Sequence, residues 1–429
     1  MLSHSHLAAI DSTVWPGLTS VPGGWRVESK ARRAERAFAK ACAKAGIELD
    51  PASGAQVVVD YATVFARIAE SGWVGLAEGF MAGEWSVENT DTLVDALEAL
   101  LGRGYNPRST VKTVAAESGD IPPELVHHFS EDGMSAFAGF FSTGVATTER
   151  TMMKSHVPGA GRKGQPTSRF VDITTVDAPQ DAERGDLSPA QGRAVEMLLD
   201  ATRVTSGSHV VEFPSSGGLV AVAAAARRAT VHSIASDDAA AHALEERLVF
   251  AGVRDAVHIE VDGPQVKRGG FFDAAISVEK LETLPEASKA AYLGALGRLI
   301  QPGGRIAVQT VMRTAAYTAA ADGALESLRA YIWPGLSFSL PEEITRSVDK
   351  QTNLRVLSRT HAPEHLTASL RLQRHRFDAR LREAAADGFD PVYRRLWQWQ
   401  FAVREALARL GMIDLVQLTL VPRDRRGLR

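Results

Sequence analysis

From Leu187 onward, apolar residues alternate between helical spacing and short continuous runs. PAQGRAVEMLLDATRV has the helical period, and HVVEF is a short run rich in β-branched residues, so a helix and then a strand are predicted. LVAVAAAARRA continues as a helix, VHSIAS as a strand and DAAAHALEERLVFAG as a helix. VHIEV and DAAISV read as strands, KAAYLGALGRLI as a helix, QPGG as a turn and RIAVQTV as a strand. IDLVQLTLVP, far downstream, would close the sheet as an antiparallel edge. The alternation predicts βαβ units and an α/β fold: a doubly wound, mostly parallel seven-stranded sheet with helices on both faces. Such sheets bind ligands at the carboxyl ends of their strands, where strand order reverses. The segments to examine are therefore Glu212–Gly218, Ile234–Asp237, Val261–Asp262 and Val278–Glu282.

The amino-terminal part is patterned differently. SKARRAERAFAKACAKAG reads as a helix with Gly46 at its carboxyl cap, QVVVDY as a short strand, and TVFARIAESG and DTLVDALEALLG as further helices. GRGYNPRSTVKTVAAESGDIPP is polar and rich in turn formers, which marks a linker. The division expected is a small, mainly helical domain over 1–110, a linker over 111–125 and a long domain over 126–429. A second turn-rich stretch, KSHVPGAGRKGQPTSR, is basic and reads as a solvated loop or as a lid that meets phospholipid headgroups. Residues 29–110 carry little apolar content for an independent domain, so they are expected to dock on a partner chain or on the long domain.

Composition narrows the function classes. The 429 residues carry a formal net charge of −3, which gives no signal for nucleic acid as a partner. The single cysteine, Cys42, excludes an intramolecular disulfide and a cysteine metal cluster, and fits a reducing, cytoplasmic compartment. No run approaches the roughly 18 apolar residues of a membrane-spanning helix. Contact with lipid is thus expected to be peripheral, at the inner face of the membrane. No zinc motif, P-loop or nucleophile–base pair stands out, and no metal site is expected.

The informative stretch is VVEFPSSGG, Val210 to Gly218. It reads as a buried strand that ends in an acid and turns into an Ala-rich helix, the place where nucleotide-binding α/β domains carry a Gly-rich loop. Pro214 and Ser216 occupy two positions where glycines are expected. Proline fixes φ and removes an N–H donor, and Ser216 adds a Cβ where close backbone approach is needed.

The order of elements, with RLIQPGGRIAVQT after the fourth strand, resembles a class I methyltransferase that uses S-adenosylmethionine. More narrowly, the chain resembles the cyclopropane-fatty-acyl-phospholipid synthases and related fatty-acid methyltransferases. GWVGLAEGFMAGEW is similar to their G-x-x-GLGE-x-Y-M-x-G-x-W signature, LRAYIWPG to their K-YIFPGG segment, and YRRLWQWQFAVREALARLGMIDLVQLTLV to their ending. The resemblance implies S-adenosylmethionine as cofactor and phospholipid acyl chains at the membrane surface as substrate. It also implies a homodimer, or a heteromer with an active paralogue. Carried onto this sequence, the cofactor residues are Glu212, Gly217, Gly218 and Asp262.

Other positions depart from that family. Its E-I-G-(C/T)-G-W-G loop reads Glu212-Phe213-Pro214-Ser215-Ser216-Gly217-Gly218, and its H-Y-D-x-G-N-D-x-Y motif aligns with His128-Phe129-Ser130-Glu131-Asp132-Gly133. The family holds a bicarbonate ion as general base, and the aligned positions here are Thr143, Glu282, Thr283, Gln309 and Arg374. Only Glu282 keeps the family residue, so it is the one catalytic residue carried over. Losing one oxyanion-type donor costs about 10²–10³ in rate, and such groups act as a unit. Two readings stay open on sequence alone. One is a degenerate relative with weak or no S-adenosylmethionine binding that serves as a lipid-binding or partner subunit. The other is an active methyltransferase on unsaturated acyl chains with diverged site residues. Trp397, Trp399 and Phe401 read either as core or as the lining of an acyl tunnel.

Overall fold

The structure, a computed structural model, describes residues 5–49, 54, 56–111, 113–116, 118–162, 166–180, 182–183, 185–261 and 270–423. By internal contacts the chain divides into two compact units. One comprises Met1–Ala115, Ala316–Leu336 and Gln373–Met412, the other Ala116–Ala315, Ser337–Leu372 and Ile413–Arg429. Two stretches that a linear division assigns to the long domain, 316–336 and 373–412, thus group with the amino-terminal region.

The first unit is helical, with one small antiparallel pair, β1 (Val57–Val59) and β2 (Trp85–Val87). The predicted basic helix runs from Trp25 to Ala45 and ends on Gly46 at φ 75°, the left-handed cap that glycine adopts without strain. Helices Thr63–Ser71 and Trp73–Ala82 explain the GWVGLAEGFMAGEW signature. Gly75 and Gly79 share a helix face. A Cβ on Gly75 would lie 2.1 Å from the Arg67 carbonyl oxygen, and one on Gly79 2.5 Å from Val64 Cγ2. The glycines let the two helices approach closely, backbone to backbone at Gly75 and backbone to side chain at Gly79.

Glu84 closes the motif. Its carboxylate is fully buried and accepts from Arg67 Nε at 3.0 Å on both oxygens, while Arg67 Nη2 donates to the Leu18 carbonyl at 2.5 Å. Glu78 accepts from the Tyr331 hydroxyl at 2.7 Å. Burial pushes the Glu78 carboxyl above its ordinary value, against the opposing pull of Tyr331 and Arg67. On helix Pro391–Arg409, Trp397, Trp399 and Phe401 are all buried. Trp399 packs against Trp73, Phe80 and Trp85 and donates its indole N–H to Ser327 Oγ at 2.8 Å, so it is core.

The second unit is built on nine strands: β3 (Thr147–Lys154), β4 (Ser168–Thr175), β5 (His209–Glu212), β6 (Thr230–Ala235), β7 (Val257–Val261), β8 (Phe272–Val278), β9 (Ile300–Arg313), β10 (Leu354–His361) and β11 (Ile413–Pro422). Their order is β3-β4-β10-β11-β9-β8-β5-β6-β7. The strands from β9 to β7 run parallel, while β11 is antiparallel to both its neighbours. Helices Leu187–Thr202, Leu219–Ala226, Asp238–Phe250, Glu286–Leu299 and Pro341–Gln351 connect and cover the strands. Val211, Ala275, Ile306, Val308 and Leu418 lie in one buried cluster.

Three expectations need correction. The sheet has nine strands instead of seven, because β3 and β4 add a hairpin beyond β10. β3, TTERTMMK, is exposed along almost its whole length, so it carries no apolar alternation to detect. β11 lies inside the sheet between β9 and β10, consistent with its unbroken burial from Ile413 to Leu420, the signature of a strand covered on both faces. QPGG is drawn into β9 as a bulge, with Ile300 opposite Phe272 and Arg305 opposite Ala274. Among the described residues, no helix is long and apolar enough to cross a membrane.

Arg67 and Glu84 are both fully buried, and breaking such a pair strands a charge. Arg67→Ala is expected to cost about 3–5 kcal/mol in denaturant unfolding, with Arg67→Met combined with Glu84→Leu recovering most of it. Equal losses in the single and double variants would contradict the pairing.

Candidate functional site

The sheet reverses its strand order at β5, which has β8 on one side and β6 on the other. The loop that follows β5 therefore stands at the topological switch point, where doubly wound sheets hold ligands. Glu212 ends β5 with its side chain fully buried. One carboxylate oxygen accepts from the Ser216 amide at 2.8 Å and the Ser216 hydroxyl at 2.5 Å. The other accepts from Ser233 Oγ at 2.7 Å. Burial pushes the carboxyl above its ordinary value, and the serine donors pull it back. Ser216 is thus fixed by the acid that precedes it. Ser215 N donates to the Ile234 carbonyl, and the Tyr292 hydroxyl to the Phe213 carbonyl.

Gly217 and Gly218 both have positive φ, 79° and 86°, and both are hemmed in by the chain. A Cβ on Gly217 would lie 2.2 Å from the Met134 carbonyl oxygen, and one on Gly218 2.7 Å from Leu244 Cδ1. Arg247, on helix Asp238–Phe250, donates to the Gly217 carbonyl at 2.6 Å and to Asp132 Oδ2 at 2.7 Å. Asp132 in turn accepts from the amides of Met134 and Ser135 and from the hydroxyls of Ser130 and Ser135. Burial opposes its ionisation, yet the Arg247 guanidinium and these donors hold its carboxyl down at about 2.

The segment that covers the loop, residues 130–141, is strapped down along its length. Gln191 Nε2 donates to the carbonyls of Ser135 and Phe137, and Arg193 Nε to that of Phe140. Ala138 N donates to Glu279 at 2.7 Å, and Gly139 N to Ser369 Oγ at 3.0 Å. Phe141 N donates to His365 Nδ1 at 2.9 Å, and His365 Nε2–H donates to the Asp177 carbonyl. Burial pushes the His365 imidazole below its ordinary value, which suits this acceptor and donor arrangement of the neutral ring. Arg247, Gln191 and His365 are absent from the sequence reading. Each acts through contacts dozens of residues away, and no local motif marks them.

The residues read from sequence fall into separate places. Glu212, Gly217 and Gly218 meet at the switch point. Asp262 lies outside the described residues. Glu282 is buried, accepting from Thr310 Oγ1 at 2.7 Å and Val311 N at 3.3 Å. Gln309, next to Thr310 on β9, points to the opposite face, where it donates to the Ala138 carbonyl and accepts from Gln417. Thr143 donates to the Asp177 carbonyl and Thr283 to the Lys280 carbonyl. Arg374 is buried within the first unit, bonded to Glu405 at 2.8 Å and Asp91 at 2.6 Å. The side chains of Glu212, Glu282, Gln309, Thr143, Thr283 and Arg374 each have a partner in the fold.

The sequence profile of the family described as mycolic acid cyclopropane synthetase matches residues 178–418, more than half of the chain. The protein belongs to this family. Tuberculostearic acid methyltransferase UfaA1 of Mycobacterium tuberculosis is 27% identical over 435 residues, covering 98% of each chain. The crystal structure of coclaurine N-methyltransferase bound to N-methylheliamine and SAH superposes with a TM-score of 0.54 at 11% identity, over 81% of this chain and 98% of that one. The [4+2]-cyclase SpnF superposes with a TM-score of 0.50 at 14% identity, over 72% and 98%. At such identities the two structures share the fold, which is that of the class I methyltransferases.

Asp132 is depressed, so its contribution to stability is present above the unfolded carboxyl value of about 3.9 and is lost as pH falls toward the folded value of about 2. Asp132→Asn should therefore destabilise the protein by roughly 2–3 kcal/mol near neutral pH. The difference from the parent should shrink once pH drops below about 4. Denaturant titrations at several pH values measure it, and a constant gap down to pH about 3 would contradict the ion pair.

Proposed function

We propose that this chain is a cyclopropane-synthetase-family protein whose cofactor loop is closed by its own residues. It binds S-adenosylmethionine weakly or not at all, and it acts as an acyl-lipid-binding or partner subunit. The observation that carries this reading is the seal on Gly217, whose carbonyl is taken by Arg247 at 2.6 Å and whose α-carbon faces the Met134 carbonyl. A methyl donor needs close backbone approach and free amides at such a loop. Here Pro214 has no amide to offer, the Ser216 amide is spent on Glu212, and the covering segment lies directly on the glycine. The residues present do not fit S-adenosylmethionine in the manner that the loop's ancestry implies. Glu282, bonded to Thr310 and Val311, and Gln309 on the opposite strand face add no convergent site for a general base.

A lipid role is supported by the β3–β4 hairpin. Met152 and Phe170 stand directly opposite each other, and both are exposed, at 62% and 57%. Arg150 and Lys154 lie on the same strand face two residues to either side; Arg150 pairs with Asp172, opposite it on β4, at 2.7 Å, which leaves Lys154 as the cation beside the apolar pair. Apolar side chains beside a lysine suit an anionic phospholipid surface. Cosedimentation with anionic phospholipid vesicles should fall several-fold in Met152→Asp/Phe170→Asp, while neutral vesicles bind weakly throughout. Unchanged binding would sink the hairpin's role.

A second reading, methyl transfer to acyl chains, is favoured by the match to a tuberculostearic acid methyltransferase over 98% of both chains. Calorimetric titration with S-adenosylmethionine and S-adenosylhomocysteine separates the two. The closed loop predicts an affinity no better than roughly millimolar, since two defects of about 1–3 kcal/mol each would remove about three decades. Pro214→Gly with Ser216→Gly should recover part of the affinity without yielding cyclopropane product. Low-micromolar binding by the parent would overturn the closed-loop reading in favour of an active enzyme.

A further inference from the structure

Away from the switch point, three potential ligands meet at the β7 edge of the sheet. β6 and β7 run parallel with His232 directly opposite His258, and the two rings sit 5.0 Å apart between centroids. Glu260 follows two residues after His258, so its side chain leaves the same face. Glu260 Oε1 lies 3.6 Å from His232 Nδ1 and 3.6 Å from His258 Nε2. One donor atom from each residue falls within 4.8 Å of the other two.

We propose that His232, His258 and Glu260 form a binding site for a divalent transition metal of the zinc type. The spacing carries the inference. Hydrogen bonds between nitrogen and oxygen run about 2.7–3.2 Å, so 3.6 Å is long for a direct imidazole–carboxylate bond. It is close to the separation of two ligands on one tetrahedral ion, about 3.3–3.5 Å for Zn–N and Zn–O bonds near 2.0–2.2 Å. The chemistry agrees: two imidazoles and a carboxylate suit Zn²⁺, Co²⁺, Ni²⁺ or Cu²⁺, whereas Mg²⁺ and Ca²⁺ prefer all-oxygen shells.

The ligands differ in mobility in a useful way. His232 is only 12% exposed and is held edge-on by Phe272 at 5.1 Å, a fixed anchor. His258 is 57% exposed, free to rotate its ring onto an ion and leave a fourth position to water. The site lies on the outermost strand pair of the sheet. A bound ion would staple β7 to β6, and metal affinity would appear as folding stability. This site stands independently of the functional reading above.

The test uses untagged full-length protein stripped with a chelator and then titrated with Zn²⁺ or Co²⁺. One equivalent should bind, Co²⁺ should develop visible d–d absorption, and the thermal midpoint should rise, with no response to Mg²⁺ or Ca²⁺. His258→Ala and Glu260→Gln should each weaken binding on the order of 100-fold, with the metal-free midpoint of each variant as the reference for its own titration. No saturable binding below millimolar Zn²⁺, or equal binding by the parent and both variants, would overturn the site.

Discussion

A carboxylate buried at the end of a central strand must be satisfied by the chain or remain a large desolvation cost. Glu212 is that group, and the way it is satisfied sets the rest of the switch point. Its partners are Ser216, through both amide and hydroxyl, and Ser233 on the neighbouring strand. Fixing Ser216 fixes where Gly217 turns. Gly217 then meets the Met134 carbonyl, and Arg247 ties its carbonyl to Asp132. Ser216 thus becomes the acid's principal donor.

The same logic separates the two kinds of motif in this chain. The amino-terminal signature is structural: Gly75 and Gly79 admit a close helix contact, and Arg67 neutralises the buried Glu84. Changing any one of them leaves a clash or an unpaired charge. Among the positions that align with the family's anion site, Arg374 is under the same constraint, since it neutralises the buried Glu405, whereas Thr143 and Thr283 donate only to backbone carbonyls. Each is occupied by a residue that finds a local partner, as Thr143 does with the Asp177 carbonyl and Arg374 with Glu405.

The α/β alternation, the helices and the strands from β5 to β9 are legible in the sequence because their apolar periods are strong and their ends carry glycine or acid. What escapes is non-local. The exposed hairpin of β3 and β4 has no buried face to impose a pattern. β11 reads correctly as antiparallel, but its place inside the sheet depends on what covers it. Arg247 is one arginine in an ordinary helix until Asp132, over a hundred residues earlier, is brought against it. Likewise, His232 and His258 look like isolated strand residues. Only the parallel register places them opposite each other, although the repeat of Val-His in consecutive strands and the H-x-E spacing of His258 and Glu260 are visible in the sequence.

The central claim, that the loop after β5 is held closed by the chain itself, is tested most directly by amide hydrogen exchange. The amides of Ser216, Ala138 and Gly139 all donate to side chains of the fold. They should exchange slowly in the ligand-free protein, and the pattern should not change on adding S-adenosylmethionine at micromolar concentrations. Fast exchange of these amides in the free protein, with protection gained when the cofactor is added, would show an open loop that closes on its ligand and would contradict the account.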